Sequence, residues 1–523
     1  MSPSESESNK TERRRRLRWW PAAVIGIAAV VALTWIWSAE VSQEATRTIR
    51  TALVLIVSLL LLTLWWLLAS GLSWKAKGLG LAAVVLFGFL LRSMVSYEGV
   101  DGNLVPILSW SWTSRTVPDI PGSASGPHTV TVAGAETDFP QFLGPSRDAR
   151  LPGPRLATDW TQHPPEQLWK QPIGLGWSSF AIAGELAVTQ EQRGSRQLVV
   201  AYELRSGKVV WVHTDQATFH SALGGDGPRA TPTISREGRV YTLSPRGLLN
   251  CLELETGKLL WQRNIETENA AGGMRWGRSS SPLLVDDLVV VNPGGSPHRS
   301  LAAYRQLGGE LVWIAGNAVS SYSSPTLLTL LDRPQIVMVN QQMVTAHSPD
   351  DGSVLWEQAF PSGQPHCSQP VAIADDLVLV SSGYGIGSKL FRISAGEDGK
   401  YRSETVWESR GLKTKFTNTV LHKGSIYGLD EGILVCLDPE TGRRRWKRGR
   451  YGHGQLLLVG DLLLITSEQG EVALVEANPE RYKEVARFPA LEGITWNTPA
   501  LSGDLLLVRN HQEAAAFKLP VLQ

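Results

Sequence analysis

The sequence predicts an all-β fold: an eight-bladed β-propeller of four-stranded blades with N-terminal strand closure, preceded by about three transmembrane helices. Three observations carry that expectation. A turn-then-tryptophan unit recurs at a spacing of about 46 residues. Short β-rich runs recur in step with it. Three long apolar runs fill the first 95 residues.

The chain opens with a basic tail, 1–18, ending Arg13-Arg-Arg-Arg-Leu-Arg18. An anchor region, 19–95, follows, with spans expected at about 19–38, 51–72 and 78–95. At about 1.5 Å per residue the first two are long enough to cross a hydrocarbon core of ~30 Å. The third is shorter and carries Arg92 near its end, where a long cationic side chain can snorkel outward. Trp19, Trp20, Trp35, Trp37, Trp65, Trp66 and Trp74 lie mostly at the ends of these runs, the depth indole rings favour. Six basic residues precede the first run, Arg47 and Arg50 are offset in the first loop by Glu40 and Glu44, and Lys75 and Lys77 lie in the second loop. This distribution predicts a cytoplasmic N-terminus, and three spans then deliver the remainder to the opposite side, the periplasm of a bacterial inner membrane. The apolar stretch is too long for a cleaved signal peptide, and no lipidation motif accompanies it.

Lys plus Arg total 50 against 49 Asp plus Glu, so no charge excess points to nucleic acid. Cys251, Cys367 and Cys436 are far apart, which excludes a C-x-x-C zinc or haem motif and a disulfide framework. Residues 96–165 are rich in Pro, Gly, Ser and Thr and read as a linker. Within it, Asp138-Phe-Pro-Gln-Phe-Leu-Gly-Pro-Ser-Arg-Asp148 carries aromatic anchors and is expected to strap onto the following domain, as is Trp160.

The propeller is expected over 166–523. The unit is clearest in Leu204-Arg-Ser-Gly-Lys-Val-Val-Trp211, Leu254-Glu-Thr-Gly-Lys-Leu-Leu-Trp261, Asp350-Asp-Gly-Ser-Val-Leu-Trp356 and Leu437-Asp-Pro-Glu-Thr-Gly-Arg-Arg-Arg-Trp446. Its glycine suits a tight turn needing positive φ, and its tryptophan buries a large ring at a strand's end. Upstream lie apolar runs opened by polar turns, such as Asp375-Asp-Leu-Val-Leu-Val380 and Gly460-Asp-Leu-Leu-Leu-Ile465. An innermost strand is announced by small hydroxyl residues, as in Ala230-Thr-Pro232, Ser280-Ser-Pro282 and Ser323-Ser-Pro325. Each marker appears eight times. The last unit supplies three strands, while Glu166-Gln-Leu-Trp-Lys-Gln171 is a fourth-strand motif with none before it, so the N-terminal strand should complete the last blade and seal the ring.

These units resemble the PQQ-like (quinoprotein-type) propeller repeat of BamB-like proteins, whose A-x-D-x-x-T-G-x-x-x-W pattern is matched best by Cys436-Leu-Asp-Pro-Glu-Thr-Gly-Arg-Arg-Arg-Trp446. The resemblance covers roughly 166–520 and implies either a periplasmic assembly scaffold or a PQQ-dependent dehydrogenase, for the repeat specifies fold rather than function. The vicinal cysteine pair that the methanol-oxidising members use is missing, and Cys251 and Cys436 occupy equivalent third-strand positions suited to packing.

In such a ring the residues just before the inner strands converge on the channel mouth. Here they are Trp177, Arg229, Arg275, Trp276, Arg278, Tyr322, His366, Lys413, Lys415, Phe416, Tyr451, His453 and Trp496. This aromatic and basic set suits stacking and charge pairing with a planar anion, PQQ included, or plugs the channel with its own rings. No catalytic residue and no metal site stands out. The expected function is therefore a periplasmic binding or scaffold module tethered to the lipid bilayer, holding an envelope protein or an anionic ligand. No cofactor is expected, although PQQ is possible, and the alternative is a membrane-bound PQQ-dependent sugar or alcohol dehydrogenase. His220 and His298 read as ordinary loop residues.

Overall fold

A computed structural model of the 523-residue chain describes residues 18–39, 44–113, 138–294 and 298–522. The basic run before Arg18, Glu40 and the linker residues 114–137 lie outside the described residues. Two compact units divide at residue 114.

The first unit holds three helices: α1 (Trp20–Ser38), α2 (Glu44–Leu64), which runs on through a π-turn at Trp65–Ala69, and α3 (Trp74–Met94). All three are long and apolar enough to cross a membrane. Ser73 caps α3, its hydroxyl accepting from the Ala76 amide at 3.4 Å. Val95–Val100 and Pro106–Trp110 then pair as an antiparallel hairpin, in a stretch whose composition suggested only a connector. The turn is made by Asp101, whose carboxylate accepts from the amides of Asn103 and Val105, both at 2.8 Å, and Trp110 stacks on Trp112 at 4.9 Å.

The second unit is the eight-bladed propeller. Blades 1 to 7 each run in chain order from an inner to an outer strand, and their inner strands begin at Ala181, Thr233, Leu283, Thr326, Val371, Val420 and Gln455. Blade 8 takes three strands from the C-terminus, Ala500–Ser502, Leu505–Arg509 and Glu513–Lys518, and its outer strand from the N-terminal side, Glu166–Pro172. The expected closure is therefore present, with Ala516 opposite Trp169 in an antiparallel register.

The repeated tryptophan and glycine form a lock between neighbouring blades. The indole N–H of Trp211 donates to the Leu254 carbonyl at 2.7 Å, Trp261 to Gln306 at 2.9 Å, Trp313 to Pro349 at 3.1 Å and Trp407 to Pro439 at 2.9 Å. Each ring lies on the turn glycine of the next blade. A β-carbon at Gly309 would stand 2.7 Å from the Trp261 ring, and one at Gly442 2.6 Å from Trp407. Glycine is required twice over at these positions, since Gly309 and Gly442 also have φ of 73° and 64°.

The hydroxyl marker of the inner strands has an equally specific cause. In blades 1 to 5 the residue ahead of the inner strand donates its backbone N–H to the side chain of the same position in the next blade. Ser179 donates to Thr231 at 3.2 Å, and Thr231 to Ser281, Ser281 to Ser324, Ser324 to Gln369 and Gln369 to Asn418, each at 2.9 Å. The seam between blades 8 and 1 is bonded by side chains too. Buried Arg509 donates to Thr189 Oγ1 at 2.6 Å and to the carbonyls of Gln190 (3.0 Å) and Gly174 (3.1 Å), and Ser179 Oγ donates to the Thr498 carbonyl.

The strap at 138–152 enters the ring rather than lying on its outside. Phe139 exchanges backbone bonds with Ile182 of blade 1, Pro140 accepts from Ile234 of blade 2, and Ala149 and Leu151 accept from Leu458 and Gly460 of blade 7. Arg150–Leu151 adds to the inner strand of blade 7 as a short parallel partner. Arg147, buried, donates to the Pro282 carbonyl at 2.9 Å and the Ser281 carbonyl at 3.1 Å in blade 3. With Phe139, Leu143 and Ala149 all buried, the strap lies across the inner strands and is bonded to blades 1, 2, 3 and 7. Trp160 packs edge-on against Phe488 of blade 7 at 5.4 Å.

Candidate functional site: the channel mouth

The strap meets the ends of the inner strands. Their beginnings define the opposite mouth. Two sets of loops reach it: those preceding the inner strands, and the turns between second and third strands.

An arc of rings lines one side. Trp177 lies 4.7 Å from Trp496 and 5.0 Å from His511, while Phe416 lies 4.9 Å from Trp496 and 5.6 Å from His453. Hydrogen bonds fix the arc. The Trp177 indole donates to the Gly224 carbonyl at 2.8 Å, and that of Trp496 to Glu468 Oε1 at 2.8 Å. The second Glu468 oxygen accepts from the His453 amide at 3.1 Å. On the other side Trp276 and Tyr322 are tilted together at 5.6 Å, and exposed Arg275 lies over Trp276 at 5.0 Å. Lys415, buried, sits 4.8 Å above Tyr384 and 5.7 Å from Phe416.

Burial shapes the electrostatics. It lowers the Arg229 guanidinium to about 10, with Asp226 and Tyr322 pulling the other way. Burial raises the Cys367 thiol to about 12 despite nearby Lys415, so this cysteine is a neutral packing group. Burial also raises Tyr384 and Glu431, the latter opposed by Lys415 and Lys413. His453 is pushed down to about 3, mainly by burial and further by Lys415, and is therefore neutral at physiological pH.

Not every residue expected at the mouth faces it. His366 is buried, with Nδ1 bonded to Ser382 Oγ at 2.8 Å and Nε2 2.8 Å from the Pro361 carbonyl. Tyr451 turns outward to Tyr482 at 2.9 Å and to Glu484. Arg278 is buried against the Pro293 carbonyl (2.8 Å) and Glu266 (3.3 Å), and Lys413 is bound to Asp430. Arg229 is half-buried, fastening its own loop through the carbonyls of Gly224 (2.8 Å), Gly225 (2.6 Å) and Gly227. The rings and cations gathered at the mouth are thus Trp177, Arg275, Trp276, Tyr322, Lys415, Phe416, His453 and Trp496.

Four further residues join them from the turns after the second strands: Tyr384, Glu431, Glu468 and His511. The signal for these was available, because each stands within two residues of a second strand's end in the repeat. Cys251 and Cys436 sit in register with Tyr241 and Trp261, and with Tyr427 and Trp446, as equivalent buried positions of blades 2 and 6. Among the described residues no group of three or more His, Cys, Asp or Glu is gathered as a metal site. What the mouth offers chemically is stacking faces and cations for a flat anionic group.

A family model described as outer membrane protein assembly factor BamB matches residues 195–448. A solved structure of quinohemoprotein alcohol dehydrogenase from Comamonas testosteroni is 12% identical, with 74% of this chain and 81% of that one covered at a TM-score of 0.54. Quinohemoprotein alcohol dehydrogenase ADHIIG from Pseudomonas putida HK5 is also 12% identical, with 78% and 84% covered at 0.54. BamB from Moraxella catarrhalis is 14% identical, with 68% and 98% covered at 0.49. Identities this low establish the fold, and no curated protein matches the chain.

Proposed function

We propose that this PQQ-like, BamB-like repeat propeller is a membrane-anchored binding module of the bacterial envelope, held by α1–α3 with its N-terminus in the cytoplasm and its propeller in the periplasm. The observation that carries the reading is the inequality of the two channel ends. One is spanned by the chain's own strap, and the other gathers Trp177, Trp496, Phe416 and Arg275 with buried Lys415 behind the rings. That lining favours an anionic ligand or an acidic protein surface held by stacking and charge. Two of the residues expected at the mouth are engaged elsewhere, His366 with Ser382 and Tyr451 with Tyr482.

Two measurements test this. A compartment-specific reporter fused after residue 110 should report the side opposite the N-terminus, and a cytoplasmic signal overturns the topology. A photo-crosslinking residue in place of exposed Arg275 should give a discrete adduct in intact envelopes, weakened by Lys415→Gln. No adduct overturns the binding role of the mouth.

A second reading, a PQQ-dependent dehydrogenase, is favoured by the same rings and cations, which suit a planar polycarboxylate. Trp177, Lys415 and Trp496 would hold the quinone, which supplies a two-electron acceptor when bound. The donor set for an accompanying divalent cation does not fit, since no such cluster is gathered among the described residues.

A further inference from the structure

The outer strand of blade 6 differs from every other outer strand in the ring. Residues 443–450 read Arg-Arg-Arg-Trp-Lys-Arg-Gly-Arg, six cations in eight positions. Blade 2 ends in Leu259–Asn264, blade 3 in Leu311–Ala315 and blade 4 in Val354–Ala359, with a single Arg among the three. Edge strands are commonly protected by a charge or two, and six exceed that need.

Three of these six cations are ion-paired within the fold, and two of those three share one carboxylate. Buried Asp430 is shared by Lys447 at 2.5 Å, Arg444 at 3.6 Å and Lys413, and Asp438 is taken by Arg445 at 2.8 Å. Exposed Arg443, Arg448 and Arg450 make no ion pair among the described residues. The register of this strand against Ile433–Leu437 shifts between Lys447 and Arg450, so a bulge carries Arg448 and sets its charge close in sequence to that of Arg450. Arg444–Arg450 also pairs along one side only, with Ile433–Leu437, leaving the outer row of backbone donors and acceptors facing solvent.

We propose that this edge, Arg444–Arg450 with Arg443 at its entry, docks an extended acidic polypeptide segment that adds to blade 6 as a fifth strand. Side chains alternate between the two faces along the regular part of a strand, and two bulges interrupt that alternation here, so the cations are not confined to one face of the backbone edge. An added strand carrying carboxylates on alternate residues meets both the backbone row and the charges, whereas a flat lipid surface meets only one face. The surface is peripheral, and the inference does not depend on what the channel mouth holds.

The test uses the full chain in nanodiscs of uncharged lipid and a fluorescent ten-residue peptide of alternating Glu and Thr. Anisotropy should show binding that is at least about tenfold weaker for the Gln-for-Glu peptide, and lost when alternate peptide amides are N-methylated. The triple variant Arg443→Gln, Arg448→Gln, Arg450→Gln should weaken binding at least about tenfold and flatten its salt dependence. Bound peptide should slow amide exchange across Arg444–Arg450 in the unaltered protein, a readout independent of how the variant folds. Equal binding of the N-methylated peptide overturns strand addition. Equal binding by a folded triple variant, or a response to phosphatidylglycerol vesicles without any to the peptide, overturns the proposal.

Discussion

Gly207 of blade 1 lies directly beneath the ring of Trp169, the tryptophan of the closing strand: a β-carbon at Gly207 would stand 2.7 Å from the indole. Trp169 also donates its N–H to the Leu204 carbonyl at 3.0 Å, so the seam between blade 8 and blade 1 repeats the lock made by Trp211, Trp261, Trp313 and Trp407. Gly207→Ala should destabilise the propeller by roughly 2–4 kcal/mol, from its φ of 70° and the overpacked ring together. Gly194→Ala is the matched control. Its φ is 55° with nothing within 4 Å, and a loss of about 1–2 kcal/mol is expected from backbone strain alone. Urea unfolding of both variants measures the difference, and equal losses would remove the ring contact from the explanation.

The ladder of inner-strand hydroxyls gives a second prediction. Ser281→Ala leaves the buried Thr231 amide without its acceptor, and should lower stability by about 1–3 kcal/mol. Hydrogen exchange should localise the effect to Thr231 and its neighbours. Ser281→Thr keeps an oxygen in place and should recover most of the loss.

The strap makes its own test possible. Arg147→Ala withdraws the donor from the Ser281 and Pro282 carbonyls, and the cost expected is about 1–3 kcal/mol. Because the strap ties to four separate blades, its release should appear first as faster amide exchange at Phe139 and Ala149 and as proteolysis within 138–152. Unchanged exchange there would mean that Arg147 does not hold the strap in the channel.

The eight-fold count and the closing strand were legible because each rests on side chains that repeat: a glycine under a ring, an apolar second strand, a hydroxyl that bonds the next blade. The place of the strap was not legible. Apart from the Arg147 and Asp138 side chains, it is held by backbone carbonyls and amides of Phe139, Pro140, Ala149 and Leu151, whose partners leave no side-chain signature. The mouth was half legible for a related reason. Position before an inner strand fixes where a residue's Cα lies, and not whether its side chain turns inward. His366 and Tyr451 found bonds with Ser382 and Tyr482 instead. Glu468, Glu431, Tyr384 and His511 arrive from a second set of turns, one strand further along each blade.

A buried neutral histidine predicts a pH response. His453 has its folded pKa lowered from 6.5 to about 3, so between these values the unfolded chain takes up a proton that the folded chain does not. Stability should therefore fall as pH drops through that window. His453→Gln should flatten the dependence by as much as about 1.4 kcal/mol per pH unit, measured as urea midpoints from pH 4 to 7. His366 and His347 are lowered in the same direction and should keep a residual slope.

The measurement that bears most directly on a binding module rather than an oxidising enzyme is dye reduction by the full chain loaded with PQQ and calcium and offered alcohols and sugars. No substrate-dependent reduction above that of the unloaded protein is expected. Sustained reduction, lost in Lys415→Gln and Trp496→Ala, would contradict the binding reading and establish the mouth as a quinone site.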